Sequence, residues 1–266
     1  MLLKLGLSTF DQIFKTTMRY FVELAYNGAK YIGWQKQPNG SSIQTTIEKG
    51  LSKILRQSIE VVGCGRTDAR VHAKQYFLHF DFEEELPDDL LFRINKVLPK
   101  DISFLNVRQV EDTAHARFDA THRAYEYHLD FSKNPFEIDT VYYFSQAEKL
   151  DQNKMQEAAK LLFEFKAFFP FCKSKNDART MNCKIMRSEW VFDNENGRMV
   201  FHISANRFLR GMVRLIVGMC LNVGLGKVSL EEVRNALEKQ ERLDKSLSVP
   251  PHGLFLIDIR YPYLEK

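Results

Sequence analysis

Paired cysteines are missing from this 266-residue sequence: Cys64, Cys172, Cys183 and Cys220 include no CxxC pair. Their spacing argues against a zinc ribbon or a dithiol redox centre. Cys64 and Cys220 stand in apolar surroundings, and all four read as reduced core or turn residues of a cytosolic protein. The seven histidines do not fall at metal-ligand spacing, so no metal is expected. No apolar run approaches the roughly 20 residues of a membrane span. The opening MLLKLGLSTF is short, is interrupted by Lys4, and lacks a signal-peptide cleavage region. A phosphate-cradling glycine loop that opens a helix is also lacking, because an apolar strand follows GCGRTDAR (63–70) too soon. That argues against a nucleotide-dependent metabolic enzyme. Finally, no Asp or Glu occurs from Asn196 to Leu230, whereas Arg198, Arg207, Arg210, Arg214 and Lys227 all lie there.

What is present is ordinary for a globular chain: 44% hydrophobic, 27% charged, net charge +4 and pI near 8.7. So mild a net charge means that any anionic partner must be met by a local patch. Residues 1–17 read as an extension, and Met18 begins the first convincing strand, YFVELAY (20–26). Ser41 to Gln44 suggests a capping box, followed by the helical stripe Ile43, Ile47, Leu51, Ile54 and Leu55. Strands are expected at 59–64, at QYFLHFDF (75–82) with Tyr76, Leu78, Phe80 and Phe82 on one face, and at 102–110, with a helix at 88–97 before the last. The second half repeats this order. It has a strand at 123–129, a helix capped by Asp151, strands at 184–192 and 198–204, a helix at 207–222, a helix begun by Ser229 and Glu232, and a strand at 254–260. The expected fold is α+β, with two ferredoxin-like βαββαβ halves (18–112 and 113–266) whose antiparallel sheets flank a central active-site cleft.

Two stretches carry candidate chemistry. On a helix at 207–222, Arg207, Arg210, Gly211, Arg214 and Gly218 would share one face. RLIVGMC is apolar on nearly every side, so Arg214 should be buried and needs a carboxylate. Gly211 and Gly218 would admit a close neighbour. The turn VGCGRTDARVH (62–72) offers Asp68, ringed by Arg66, Arg70 and His72. An acid paired with an arginine stays ionised while desolvated, as a nucleophile or a general base must. On the strand at 123–129, Arg123, Tyr125 and Tyr127 share a face, and interleaved rings and arginines suit base stacking with phosphate contacts. FEFKAFFPFCK (163–173) reads as core and loop packing.

Together these motifs resemble the tRNA pseudouridine synthase A family over nearly the whole chain after residue 18. YNGAKYIGWQKQPN (26–39), GRTDARVHA (65–73), HARFDATHRAYEY (115–127), ANRFLRGMVRLIVG (205–218) and PPHGLFL (250–256) occur in the family's order. The resemblance implies a cytoplasmic, homodimeric isomerase that makes pseudouridine in the anticodon stem–loop of tRNA without cofactor or metal. It implies Asp68 as the catalytic carboxylate, Tyr125 stacked on the flipped uracil, Arg214 as partner of the acid, and Arg66 helping to extrude the base. Arg70, His72, Arg123, Arg207 and Arg210 are the further RNA-binding candidates. Three positions depart from the family pattern. Arg70 stands where glycine is usual, Asn27 where Asp is common, and KAFFPFC (166–172) lacks the Asp and Ser of its motif. At a positive φ, Arg70 would be strained by on the order of 1 kcal/mol or more; otherwise it adds a cation facing RNA. The alternative reading is a catalytically silent or altered-specificity RNA-binding paralogue on the same scaffold.

Overall fold

The computed structural model describes residues 17–173 and 179–264, so all of the expected extension but its last residue lies outside the described residues. The first half runs β1 (Met18–Tyr26), α1 (Ile43–Leu55), β2 (Val62–Gly63), β3 (His72–Phe82), α2 (Leu90–Val97) and β4 (Ile102–Val110). This is the expected order, with the strand at 59–64 reduced to two residues. Helix α1 is capped by Ser42 rather than Ser41, the Ser42 hydroxyl accepting from Thr45 N–H. Its buried stripe, Ile43, Ile47, Leu51 and Ile54, lies one turn apart along the helix.

The second half runs β5 (His122–Asp130), β6 (Tyr142–Tyr143), α3 (Gln152–Leu161), β7 (Ile185–Asp193), β8 (Arg198–Ala205), α4 (Met212–Gly224), α5 (Leu230–Lys239) and β9 (Leu254–Arg260). Ser229 and Glu232 form a complete capping box at α5, and Asp151 caps α3. Helix α4 is shorter than expected. Gly211 holds φ +70°, a left-handed conformation that cannot continue a helix, so α4 begins at Met212. Arg207 and Arg210 therefore precede the helix, and the single cationic face expected over 207–222 does not form.

Among the described residues all nine strands belong to one sheet, with the main order β4-β1-β3-β9-β5-β8-β7. Two separate sheets were expected. They are joined because β9, last in sequence, inserts mid-sheet: it pairs in parallel with β3 at His72–Phe255 and Ala73–Leu256, and antiparallel with β5. Central placement also buries both faces of β3, so Phe77 and His79 are as sequestered as Tyr76, Leu78 and Phe80.

Two apolar cores fill the molecule. The front core packs α1 and α2 against β1, β3 and β4, and takes in Ala114, Ala116, Ala120, Leu256, Ile259 and Tyr261 from the later sequence. The rear core packs α3, α4 and α5 on β5, β7 and β8, and takes in Val71 from the acid-bearing turn. Tyr125 packs against both cores. The chain thus crosses between them next to the candidate site. Phe168 and Phe171 are fully buried in the rear core, as the packing reading of FEFKAFFPFCK expects.

Candidate active site

Asp68 lies between β2 and β3 in a turn held from three sides. The 26–35 segment clasps it from beneath: Trp34 N–H donates to Thr67 O at 3.2 Å, Arg70 N–H donates to Tyr31 O at 3.2 Å, and Tyr26 Oη shares a 2.9 Å hydrogen bond with Thr67 Oγ1. Gly33 makes this approach possible. A Cβ there would sit 2.6 Å from Thr67 O, and its φ is +108°. Tyr76 Oη donates to Gly65 O, which fixes the start of the turn.

Across the site, α4 presents Arg214. Its Nη1 donates to Asp68 Oδ2 at 2.9 Å and its Nε donates to Val249 O at 2.7 Å. The guanidinium is largely buried, at 13% exposure, while the carboxylate keeps 31%. A charge-assisted bond at this depth holds the acid's orientation while part of the carboxylate stays accessible. Gly218 permits the packing that brings α4 here, because a Cβ would meet Leu247 O at 1.9 Å. The guanidinium and the carboxylate come from residues 146 apart in sequence.

Tyr125, on β5, is half-buried and meets Phe208 edge-on at 5.2 Å. Burial raises its phenol pKa, helped by the nearby Asp68 charge, so the ring is neutral at physiological pH. Lys173 was not singled out from sequence. Its stem crosses Gly211, where a Cβ would meet it at 2.8 Å, and its backbone N–H donates to Arg210 O. Burial lowers its pKa, as do Arg214 and Arg210, while Asp68 raises it, so the lysine belongs to the same charged cluster. Its only sequence signal was a cation closing an aromatic run.

The remaining candidates divide. Arg66 is exposed two residues before Asp68, Arg210 is exposed ahead of α4, and Arg207 Nη1 donates to Thr180 O at 3.3 Å. Arg70 holds φ +64°, the strained alternative, and its guanidinium pairs with Asp139 at 2.9 Å on the surface. His72 does not face RNA. It is 1% exposed, accepts Gly28 N–H at Nδ1 (3.1 Å) and reaches His252 O with Nε2 (3.0 Å). Burial lowers its pKa, and the two bonds suit a neutral ring protonated at Nε2. Arg123 is likewise turned inward: its guanidinium donates to the carbonyls of Ala120, Asn206, Cys64 and Arg117 at 2.8–3.1 Å. It ties the acid-bearing turn to the 115–120 turn and to the segment ahead of α4. Backbone carbonyls carry no side-chain signature, which is why sequence reading placed both residues against RNA.

The 249–253 segment, part of the PPHGLFL motif and the residue before it, is a third tie. Val249 O accepts from Arg214, Pro250 O from Tyr127 at 2.9 Å, and His252 O from His72. Among the described residues, no group of three or more His, Cys, Asp or Glu side chains could hold a metal ion, and no helix is long and apolar enough to cross a membrane.

Comparison with known proteins bears on the whole of this arrangement. A family model described as tRNA pseudouridine synthase matches residues 24–119 and 158–262. The chain is 46% identical to tRNA pseudouridine synthase A of Bacteroides thetaiotaomicron, over 92% of this chain and 91% of that protein. It is 44% identical to the protein of the same name in Parabacteroides distasonis, over 92% and 96%. Against that of Francisella tularensis subsp. novicida it is 34% identical, over 91% and 94%. The matched residues span both strands of the acid-bearing turn, Arg214 on α4 and the inserted strand β9, and the chain belongs to the tRNA pseudouridine synthase family.

Proposed function

We propose that this pseudouridine synthase isomerises uridines in the anticodon stem–loop of tRNA, with Asp68 as the catalytic carboxylate, Arg214 as its partner and Tyr125 as the ring that covers the displaced base. The observation that carries the reading is the 2.9 Å contact between Arg214 and Asp68, drawn from opposite halves of the sequence. The names of its relatives support tRNA as the substrate.

The reaction breaks the N1–C1′ bond of uridine, turns the uracil, joins C5 to C1′, releases the proton from C5 and places one on N1. Product and substrate have the same composition, so the balance calls for no oxidant, reductant or second substrate. Asp68 acts as nucleophile or as base, and either role requires an ionised oxygen at the sugar or the base. Arg214 fixes one oxygen by a charge-assisted hydrogen bond, leaving the other for the nucleotide. Uracil in a stem is stacked and paired, so it must first be flipped out, at a cost of a few kcal/mol. Arg66 at the vacated position, with Arg207 and Arg210 on the phosphates, offsets that cost. Tyr125 stacks on the detached base and keeps it from leaving, with its neutral phenol near C5.

We place the front half at 18–112 and the rear half at 113–266, each ferredoxin-like, with the RNA entering between them. The working unit is a cytoplasmic homodimer. The test uses unmodified tRNA carrying tritium at uridine C5. The wild type releases tritium and Asp68→Ala releases none. Binding of tRNA with no release by the wild type would support the silent-paralogue reading instead.

A further inference from the structure

A single exposed apolar side chain is ordinary on a protein surface, but Phe118 is 74% exposed. It is also held more firmly than an exposed ring needs to be. Its turn is pinned by His115, whose Nδ1 accepts both Arg117 N–H (3.1 Å) and Phe118 N–H (3.3 Å). The His115 ring lies 4.3 Å from the Phe118 ring and is backed by His79 at 4.8 Å, so the phenylalanine is the outermost member of an aromatic row that begins in the core. On the outside, the Arg117 guanidinium sits 5.8 Å from the ring centroid.

Of the ring's two charged chain neighbours, the cation lies over it and the acid is engaged elsewhere. Asp119, the acid of this turn, is turned to its own purposes: Oδ2 accepts from His115 N–H at 2.7 Å and from Tyr263 Oη at 2.9 Å. Among the described residues, Arg117 has no carboxylate partner. Phe136 is even more exposed, at 95%, but it neighbours Glu137 and Asp139 and has no cation over its face. The two rings therefore suit different surroundings; Phe92 on α2, 67% exposed, also carries a cation, Lys96 Nζ at 5.4 Å, but its patch includes Asp88 and Asp89.

The turn is also coupled to the candidate site. Arg123 holds Arg117 O and Cys64 O with the same Nη2, at 2.8 and 3.0 Å, and Cys64 is four residues before Asp68. A ligand on the Phe118 face would sit at a fixed offset from the acid.

We propose that Phe118 and Arg117 form a stacking platform for an unpaired nucleobase of the RNA, separate from the uridine that reacts, with Arg117 on the adjoining phosphate. A flat apolar face with a guanidinium edge is the chemistry that takes a base in a single-stranded loop. The proposal rests on RNA being the substrate, and it adds a second point of attachment beside the site of the uridine that reacts.

The test measures the Kd for unmodified tRNA transcript, the single-turnover rate at saturating enzyme and the sedimentation coefficient, in wild type, Phe118→Leu, Phe118→Trp and Arg117→Gln. Phe118→Leu keeps apolar bulk at an exposed position but removes the π face. We expect it to weaken binding about 5- to 100-fold, with the saturated rate and the sedimentation unchanged. Phe118→Trp should bind as well as wild type, and the emission it gains should be quenched by tRNA, since Trp34 and Trp190 are only 3% and 4% exposed. Wild-type affinity in Phe118→Leu would overturn the platform. So would a fall in saturated rate without a change in Kd, or a shift to a smaller sedimenting species, which would mark a contact between copies. If the wild type binds tRNA with this dependence but forms no pseudouridine, the catalytic reading fails while the platform stands.

Discussion

Arg214 and Arg123 both grip the turn that carries Asp68, and they do so with opposite chemistry. Arg214 comes from a buried helix and meets a carboxylate, at 2.9 Å, so its contribution depends on charge at both ends. Arg123 comes from the neighbouring strand and meets four carbonyls, Cys64 O among them, so its contribution depends on the shape of the guanidinium fork. One arginine orients the carboxylate. The other fixes where the acid stands. Substitutions that keep charge but lose shape, or the reverse, should therefore act differently at the two positions.

Arg214→Met should have the largest effect. It removes both the positive charge beside Asp68 and the donor to Val249 O, and we expect a loss of about 10²–10³ in single-turnover rate, in the range of losing one preorganised electrostatic contact. Arg123→Lys keeps the charge, but one ammonium cannot reach four carbonyls. Loss of about two net hydrogen bonds lowers stability by about 2 kcal/mol, a fall in Tm of roughly 4–8 °C. Its turnover should fall less than that of Arg214→Met, with tRNA affinity nearly kept; thermal melts and single-turnover assays check both. An equal rate loss in the two variants would erase the distinction drawn between them. Arg70→Gly should do least. It relieves a left-handed φ worth about 1 kcal/mol, gives up a surface pair worth about 0–1 kcal/mol, and loosens the unfolded chain by a similar amount. Denaturant melts should place it within about 1 kcal/mol of wild type, with turnover retained. Complete loss of activity would give Arg70 a role that its surface pair with Asp139 does not explain.

The same two arginines show how far the sequence could be read. Arg214 was legible because RLIVGMC is apolar around its whole circumference, and a charge in such surroundings needs a partner of opposite sign. Element order was legible because periodicity reports which face is buried. Arg123 was not legible, because its partners are backbone carbonyls that every residue has. His72 was misread for the same reason: in sequence it looks like one more cation near Asp68, and in the fold it bridges Gly28 N–H and His252 O. The break before α4 turned on a single positive φ at Gly211, and a helical wheel averages over such a break. The merging of two expected sheets depended on two residue pairs between β3 and β9, His72–Phe255 and Ala73–Leu256, a separation in sequence at which local patterns carry no information.

The most direct measurement is a double-mutant cycle on the pair itself, read as unfolding free energy from denaturant melts, because loss of the catalytic carboxylate leaves no turnover to compare. Asp68→Asn, Arg214→Met and the double variant are compared with wild type. If the guanidinium and the carboxylate meet as the structure places them, the double variant will lose less stability than the sum of the two single losses, by about 0.5–3 kcal/mol. If the two losses simply add, the joining of front and rear halves through this one ion pair is contradicted.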